Sequence, residues 1–247
     1  MGGQANTNST LGSSNFDGSI QSTAKVNASA GFSIVIYTGT SASTATIGHG
    51  LGVTPNVIIV RERDDTSQWA YFQTQLGFGS KLNLDLTNAI GGSSLMNSTA
   101  PTSTVFSVRN TASGDVLNNG GLFIAYCFSE VAGYSKFGSY TGNGSSDGTF
   151  VFTGFRPAFL ITKNISSSYD WMMFDVKRSP FNDINDYLFT NSNSAEGTGS
   201  STINVDFLSN GFKWRGSSSG NNYINKSGDT FIYLAFAESP FKNARAR

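Results

Sequence analysis

Apolar positions along this chain come in short runs, rich in β-branched and aromatic side chains and closed off by Gly, Pro, Asn or Ser. In the first half these are Phe32-Ser-Ile-Val-Ile-Tyr37, Asn56-Val-Ile-Ile-Val60, Ala70-Tyr-Phe-Gln73, Val105-Phe-Ser-Val108 and Leu122-Phe-Ile-Ala-Tyr-Cys-Phe128. The second half continues with Phe150-Val-Phe152, Ala158-Phe-Leu-Ile-Thr162, Trp171-Met-Met-Phe174, Tyr187-Leu-Phe189, Gly211-Phe-Lys-Trp214 and Thr230-Phe-Ile-Tyr-Leu-Ala-Phe236. Runs of this length and composition read as strands, and their spacing predicts an all-β, sandwich-like fold. Helical periodicity is broken almost everywhere by turn formers. Between the runs lie small polar tracts, such as residues 90–100, 192–201 and 216–222, which bury too little apolar area to pack as elements and read as loops.

The two halves align with each other, which predicts two tandem β-sandwich-like modules arising from an internal duplication. Gly31-Phe32-Ser33 matches Gly133-Tyr134-Ser135, Gly52-Val53-Thr54-Pro55 matches Gly154-Phe155-Arg156-Pro157, and Trp69 matches Trp171, all at an offset of 102. Tyr37-Thr-Gly39 matches Tyr140-Thr-Gly142 one position out of step, and Phe123 and Phe128 match Phe231 and Phe236 after a loop insertion. The expected modules are residues 31–131 and 132–247. Pro lacks an N–H, so Pro55 and Pro157 mark the start of equivalent strands. Residues 1–30 have only Phe16, Ile20 and Val26 as apolar anchors and read as an extended N-terminal lead-in, ordered by contacts beyond its own module.

Charge narrows the functional classes. Sixteen basic and sixteen acidic residues cancel, with no Lys/Arg cluster outside the tail at Lys242, Arg245 and Arg247, which argues against nucleic acid or an anionic membrane as partner. No apolar run reaches the roughly 18 residues of a membrane span, so no membrane insertion is expected. The start Met1-Gly-Gly-Gln-Ala-Asn6 lacks the charged and apolar regions of a secretory signal. Lone Cys127 forms no intrachain disulfide, and no Cys/His cluster has metal-ligand spacing, so no cofactor or metal is expected.

Several segments together carry a family likeness: Gly31-Phe-Ser-Ile-Val35, Gly48-His-Gly-Leu-Gly-Val-Thr-Pro55, Gly133-Tyr-Ser-Lys-Phe-Gly-Ser-Tyr-Thr-Gly-Asn143, Thr153-Gly-Phe-Arg-Pro157, Phe207-Leu-Ser-Asn-Gly-Phe212 and Ala235-Phe-Ala-Glu-Ser-Pro-Phe241. With the lead-in Asp17-Gly-Ser-Ile20, the chain resembles the repeated β modules at the C-terminal ends of tail-fibre and other virion proteins of marine bacteriophages. The resemblance implies a virion location, a role in adhesion to the host and, by analogy with phage fibres, a homotrimer in contact with other virion subunits. It supplies no catalytic residues.

The candidate chemistry is sparse. His49, the single histidine, sits in Gly48-His49-Gly50 without a nucleophile elbow and reads as a structural turn. Cys127 aligns with Ala235 and reads as a buried inert thiol. Glu62, Asp64 and Asp65, and Asp175, Asp183 and Asp186, could pair only if the fold brought them face to face, as a glycosidase requires. Asp183 and Asp186 offer oxygen ligands but lack calcium-loop spacing, and a solvated loop is the simpler reading. Trp69 and Trp171 recur at one repeat position and are expected to fill equivalent core sites. Trp214, Tyr223 and Tyr169 remain as the candidates for ligand binding by stacking on a sugar ring, together with the variable loops 192–201 and 216–227 of the second module. The expected function is a non-catalytic receptor-binding module of a tail fibre that recognises a bacterial surface glycan or protein. The alternatives are a structural virion protein, such as a capsid decoration or spacer, and a polysaccharide-cleaving fibre.

Overall fold

Alternation of inward and outward side chains is the rule that builds these strands. In the run Phe32 to Thr38, Ser33, Val35 and Tyr37 are buried, and they lie opposite Cys127, Ala125 and Phe123 of the antiparallel neighbour, which are also buried. Period-2 burial of this kind fixes register, because a slip of one residue would expose every core side chain. The computed structural model describes residues 12–111, 117–216 and 221–238, and these form two compact units.

Unit 1 comprises Met1–Asn83 and Gly91–Ser129. Its strands are β1 (Ser13–Asn15), β2 (Ser22–Asn27), β3 (Phe32–Thr38), β4 (Thr44–Gly48), β5 (Val57–Glu62), β6 (Ala70–Gln73), β7 (Ser80–Asn83), β8 (Gly91–Gly92), β9 (Val105–Arg109) and β10 (Leu122–Phe128). One sheet runs β1-β2-β3-β10-β5-β6-β7-β8, and β4 pairs with β9 in a second. Val35, Tyr37, Val60, Phe72 and Phe123 of the first sheet share one buried cluster with Ile47, Phe106 and Val108 of the second. Fully burying each such side chain contributes roughly 1.5–3 kcal/mol.

Unit 2 comprises Leu84–Ile90 and Glu130–Arg247. It holds β11 (Ser135–Thr141), β12 (Phe150–Phe152), β13 (Phe159–Asn164), β14 (Met172–Asp175), β15 (Leu188–Phe189), β16 (Val205–Leu208), β17 (Gly211–Trp214), the short helix α1 (Asn221–Ile224) and β18 (Thr230–Phe236). The sheets run β11-β18-β13-β14-β15 and β12-β17-β16. The core between them contains Tyr140, Leu160, Phe174, Phe231, Val205, Phe212 and Trp214. The all-β expectation is therefore met. The central order β3-β10-β5-β6 in unit 1 corresponds strand for strand to β11-β18-β13-β14 in unit 2.

Three expectations are corrected. The described part of the lead-in is part of unit 1 rather than a separate linker. It forms β1 and β2 within unit 1, where Ser22 to Asn27 pair along the edge of β3 and Ile20 and Ala24 enter the core. Its few apolar residues suffice because the sheet edge supplies the hydrogen bonds. Leu84–Ile90, expected in the first module, groups with unit 2. Ile90 N donates to Ile165 O at 3.1 Å, and Lys163 Nζ donates to Thr87 O at 3.2 Å. The two repeat tryptophans differ in burial: both immediately precede a strand, yet Trp171 is fully buried, whereas Trp69 is half-buried. The Arg61 guanidinium carbon lies 5.1 Å from the centre of the Trp69 ring, the geometry of a cation–π contact.

A single clasp recurs in both units. Tyr37 stacks on Phe123 of the adjacent strand at 5.0 Å, and its hydroxyl donates to Leu117 O at 2.9 Å. Tyr140 stacks on Phe231 at 5.0 Å, and its hydroxyl donates to Ile224 O at 2.6 Å. The residue after each accepting carbonyl is a buried asparagine. Asn118 accepts from Thr40 N at 2.7 Å and donates to Ala42 O at 2.8 Å. Asn225 accepts from Asn143 N at 3.1 Å and donates to Ser145 O at 2.9 Å. The glycine of each Tyr-Thr-Gly lets the two loops touch: a Cβ on Gly39 would lie 2.8 Å from Gly120 N, and one on Gly142 would lie 2.2 Å from Lys226 O.

Tyr140→Phe keeps the stack and removes only the hydroxyl, leaving Ile224 O without that donor. An unsatisfied buried carbonyl costs about 1–3 kcal/mol, so the unfolding free energy should fall by that amount and the urea midpoint with it, and Tyr37→Phe should behave alike. Urea titration of the two variants against the parent chain checks this. A loss below a few tenths of a kcal/mol in both would remove the clasp from its place in the fold.

Candidate functional site

The clasp of unit 2 sets the base of an aromatic cluster. Tyr223 immediately precedes Ile224 and Asn225, so its backbone is held through the Tyr140 hydroxyl and the Asn225 amide. Helix α1 is tied further by Asn164 Nδ2, which donates to Asn222 O at 3.0 Å. Tyr223 meets Tyr169 edge-on, with ring centres 5.3 Å apart, and tilts against Phe189 at 5.9 Å. Phe189 in turn meets Tyr187 at 5.5 Å. All four rings are half-buried, and Tyr187, Phe189 and Tyr223 rest on the core of unit 2.

The loop that carries Tyr169 is held by buried polar side chains. Asn164 Oδ1 accepts from Ser166 N at 2.9 Å and Ser167 N at 3.1 Å. Asn164 Nδ2 and Ser167 Oγ both donate to Asp229 Oδ2, at 2.8 and 3.2 Å. Burial pushes the Asp229 carboxyl up, but the hydrogen bonds from Asn164, Lys226 and Ser167 and the Lys226 charge outweigh it, so its pKa lies below the usual carboxylate value. Beneath the loop, Lys163 Nζ donates to the carbonyls of Asn164, Thr87 and Ser167 at 2.6, 3.2 and 3.4 Å. Burial lowers the Lys163 ammonium to about 8, with the Asp170 charge pulling the other way.

Asp170 follows Tyr169 directly in the chain and is partly exposed. Asn191 Nδ2 donates to its Oδ1 at 2.7 Å, and Asn191 Oδ1 accepts from Trp171 N at 2.8 Å. Burial first, then the Asp170 charge and the neighbouring Tyr187 and Tyr169, raise the Tyr223 hydroxyl above its usual value, so it stays a neutral donor at physiological pH. Tyr187 is seated by the 192–201 loop through reciprocal backbone bonds with Gly197, at 2.9 and 3.0 Å. A Cβ on Gly197 would lie 2.3 Å from the Tyr187 ring, so only glycine lets this loop lie against the aromatic face.

Of the three residues expected to bind ligand, Tyr169 and Tyr223 meet in this cluster. Trp214 does not: it is fully buried between Tyr140, Phe174 and Phe212 and presents no ring face to solvent. On β17 it shares the buried side with Phe212 while Lys213 between them points outward, and Val108 on β9 of unit 1 is equally buried. Sequence reasoning read Tyr187 and Phe189 as strand residues only and passed over Asp170 and Asn191. The one available sign was that unit 1 carries Ser67 and Gln68 where unit 2 has Tyr169 and Asp170. Of the tracts expected to vary, residues 217–220 and 112–116 lie outside the described residues.

The chain was also compared with known proteins. A family described as "Domain of unknown function (DUF7483)" matches residues 5–240. The chain belongs to that family. No curated protein and no solved structure matches the chain. The matched span includes both clasps and every residue of the aromatic cluster.

The other candidates are engaged within the fold. Asp183 Oδ2 accepts from Asn204 Nδ2 at 2.7 Å, and Asp186 Oδ1 from Gly199 N at 2.8 Å. Among the described residues, no group of three or more His, Cys, Asp or Glu side chains is placed to hold a metal ion. Cys127 is buried, and burial pushes its thiol up to about 12, where it carries no thiolate at neutral pH. His49 is fully buried. Leu51 N donates to its Nδ1 at 3.2 Å, which leaves the proton on Nε2, 3.2 Å from Thr102 O.

Burial lowers the His49 pKa, against the opposing pull of the Thr102 carbonyl and the Asp17 charge. The unfolded chain therefore binds this proton more readily than the folded one. The stabilising contribution is complete above the ordinary histidine value of about 6.5 and is lost as pH falls below it. With a single histidine in the sequence, a fall of the urea midpoint between pH 7 and 5 is assigned to His49. His49→Gln should flatten that slope, and an unchanged slope would refute the assignment.

Proposed function

We propose that this chain is a non-catalytic recognition module of a bacteriophage appendage, which presents the aromatic cluster of unit 2 to a bacterial surface glycan or protein. The observation that carries this reading is the group of half-exposed rings, Tyr169, Tyr187, Phe189 and Tyr223, mounted on a rigid frame rather than closed into the core. Aromatic residues with a polar tip suit a surface that is dry on one side and wet on the other. The resemblance to repeated modules of virion proteins supports the location. The shared strand order and the paired clasps support a tandem duplication as the origin of the two units. A trimer would present three such clusters and multiply a weak single contact into firm attachment.

A second reading, a structural virion protein such as a decoration or spacer, is favoured by a different surface of unit 2. Phe150 and Phe152 on β12 are 43% and 63% exposed, and Phe181 is 81% exposed. Exposed large apolar side chains, two of them side by side on one strand, fit a protein partner better than a hydroxylated one.

Binding of the fluorescently labelled chain to marine bacterial cells separates the two. The recognition reading expects Tyr169→Ala combined with Tyr223→Ala to reduce cell binding at least tenfold while thermal melting shows a retained fold. Phe152→Ser combined with Phe181→Ser should leave cell binding intact. The opposite pattern, or no cell binding by the parent chain, would overturn recognition in favour of the structural role.

A further inference from the structure

The geometry points to a pyranose site of defined charge preference at the Tyr169–Tyr223 pair: it takes neutral or amino sugars and rejects acidic ones, with Asp170 as the selecting group. The inference rests on the recognition reading and names the ligand class for that same cluster.

The rings supply the apolar part of the argument. The two tyrosines stand at 66° to each other, so they offer two differently oriented walls rather than one flat stack. Phe189 and Tyr187 extend the apolar floor beside them. The C–H face of a pyranose fits against such walls, whereas its hydroxyls need donors and acceptors at the rim. Those are present. The Tyr223 hydroxyl stays protonated as a donor, and Asp170, the residue after Tyr169, supplies a carboxylate whose Oδ1 is held by Asn191.

Asp170 is the element that gives the site a sign. An ionised carboxylate has about four acceptor positions, and Asn191 occupies one. The Asn191 amide is itself fixed by Trp171 N, so the carboxylate is oriented before any ligand arrives. Its field reaches both the Tyr223 hydroxyl and the Lys163 ammonium. Lys163 is fully buried beneath the loop, and its ammonium already donates to three carbonyls, so it offers no contact to an incoming anion. A ligand at the rings therefore meets the partly exposed Asp170, while Lys163 is buried and the Lys226 ammonium is paired with Asp229 Oδ2 at 3.2 Å. Hydroxyl donors and protonated amines are attracted, and carboxylates, sulfates and phosphates are repelled. At the equivalent offset unit 1 has Ser67 and Gln68, so its corresponding position lacks both the ring and the charge.

Titration of the full chain with methyl glycosides, followed by tyrosine and tryptophan fluorescence and by NMR line broadening, tests this. Methyl hexosides and hexosaminides should bind, and methyl hexuronides should bind about tenfold more weakly or not at all. Tyr223→Ala or Tyr169→Ala should each weaken neutral-sugar binding about fivefold, the loss expected for one aromatic contact. Tyr223→Phe should retain most of the stacking. Asp170→Asn should weaken the hexosaminide and narrow the gap between hexoside and hexuronide, with the fold confirmed by melting. Equal binding of neutral and acidic glycosides, or a gap unchanged by Asp170→Asn, would overturn the inference. Failure of every glycoside while the chain still binds cells through Tyr169 and Tyr223 would overturn the ligand class alone and leave the recognition reading standing.

Discussion

The fold of each unit depends on a tyrosine that joins the sheet to a loop. Tyr37 and Tyr140 lie in the core, where their rings pack on Phe123 and Phe231, and their hydroxyls leave the apolar layer to reach Leu117 O and Ile224 O. A buried phenol demands such a partner, because an unpaired hydroxyl in an apolar layer costs more than the ring's burial tolerates. The constraint works in both directions. The loop carbonyl is fixed because the tyrosine needs it, and the next residue, Asn118 or Asn225, turns that fixed point into a crosslink between two loops. A chain with one cysteine and only 13% charged residues has few other means of tying loops down.

That crosslink explains how the aromatic cluster can sit on polar loops without losing its shape. Tyr223 stands one residue before the clasped Ile224, and Tyr169 stands on a loop whose amides are gathered by Asn164. Asn164, Lys163 and Asp229 are neighbours in one buried network, so the order of both walls of the cluster comes from the same polar core. Networks of this kind rigidify when every member is satisfied, and Lys163 achieves it with three carbonyls. In the proposed recognition role such rigidity would favour a small, weakly held ligand, since little ordering would remain to be done on binding.

The strands were legible because their signal is local. Ala70–Gln73, Leu122–Phe128, Phe150–Phe152, Gly211–Trp214 and Thr230–Phe236 have the boundaries that their apolar runs predict. The strands that escaped, such as β1, β2 and β7, are short or rich in Ser, Thr and Asn, and they are strands only because a neighbour supplies hydrogen bonds. The site was half legible for the same reason. Tyr169 and Tyr223 stood out among polar residues, and Asp170 follows Tyr169 in sequence, but Tyr187 and Phe189 join them through contacts across the fold that no spacing encodes. Trp214 misled because a tryptophan without a repeat partner resembles a ligand platform in sequence, whereas its side on β17 turns it inward.

The two units use one frame for different surfaces, and the small sheets show how. If Phe106 of β9 is matched with Phe212 of β17, both fully buried, then Ile47 and Val151 face them and are the inward residues of β4 and β12. The outward neighbours are Thr46 and Gly48 in unit 1, and Phe150 and Phe152 in unit 2. In unit 1 the lead-in covers this face: Ser19 N donates to Thr46 O, and a Cβ on Gly48 would lie 2.3 Å from Asn15 Oδ1. Small residues are thus required where the chain covers its own sheet. A phenylalanine at Gly48 could not coexist with the lead-in, so the large rings of unit 2 belong to a face that this covering does not use. The same strand position therefore serves closure in one unit and display in the other, and the difference follows from side-chain volume at two positions.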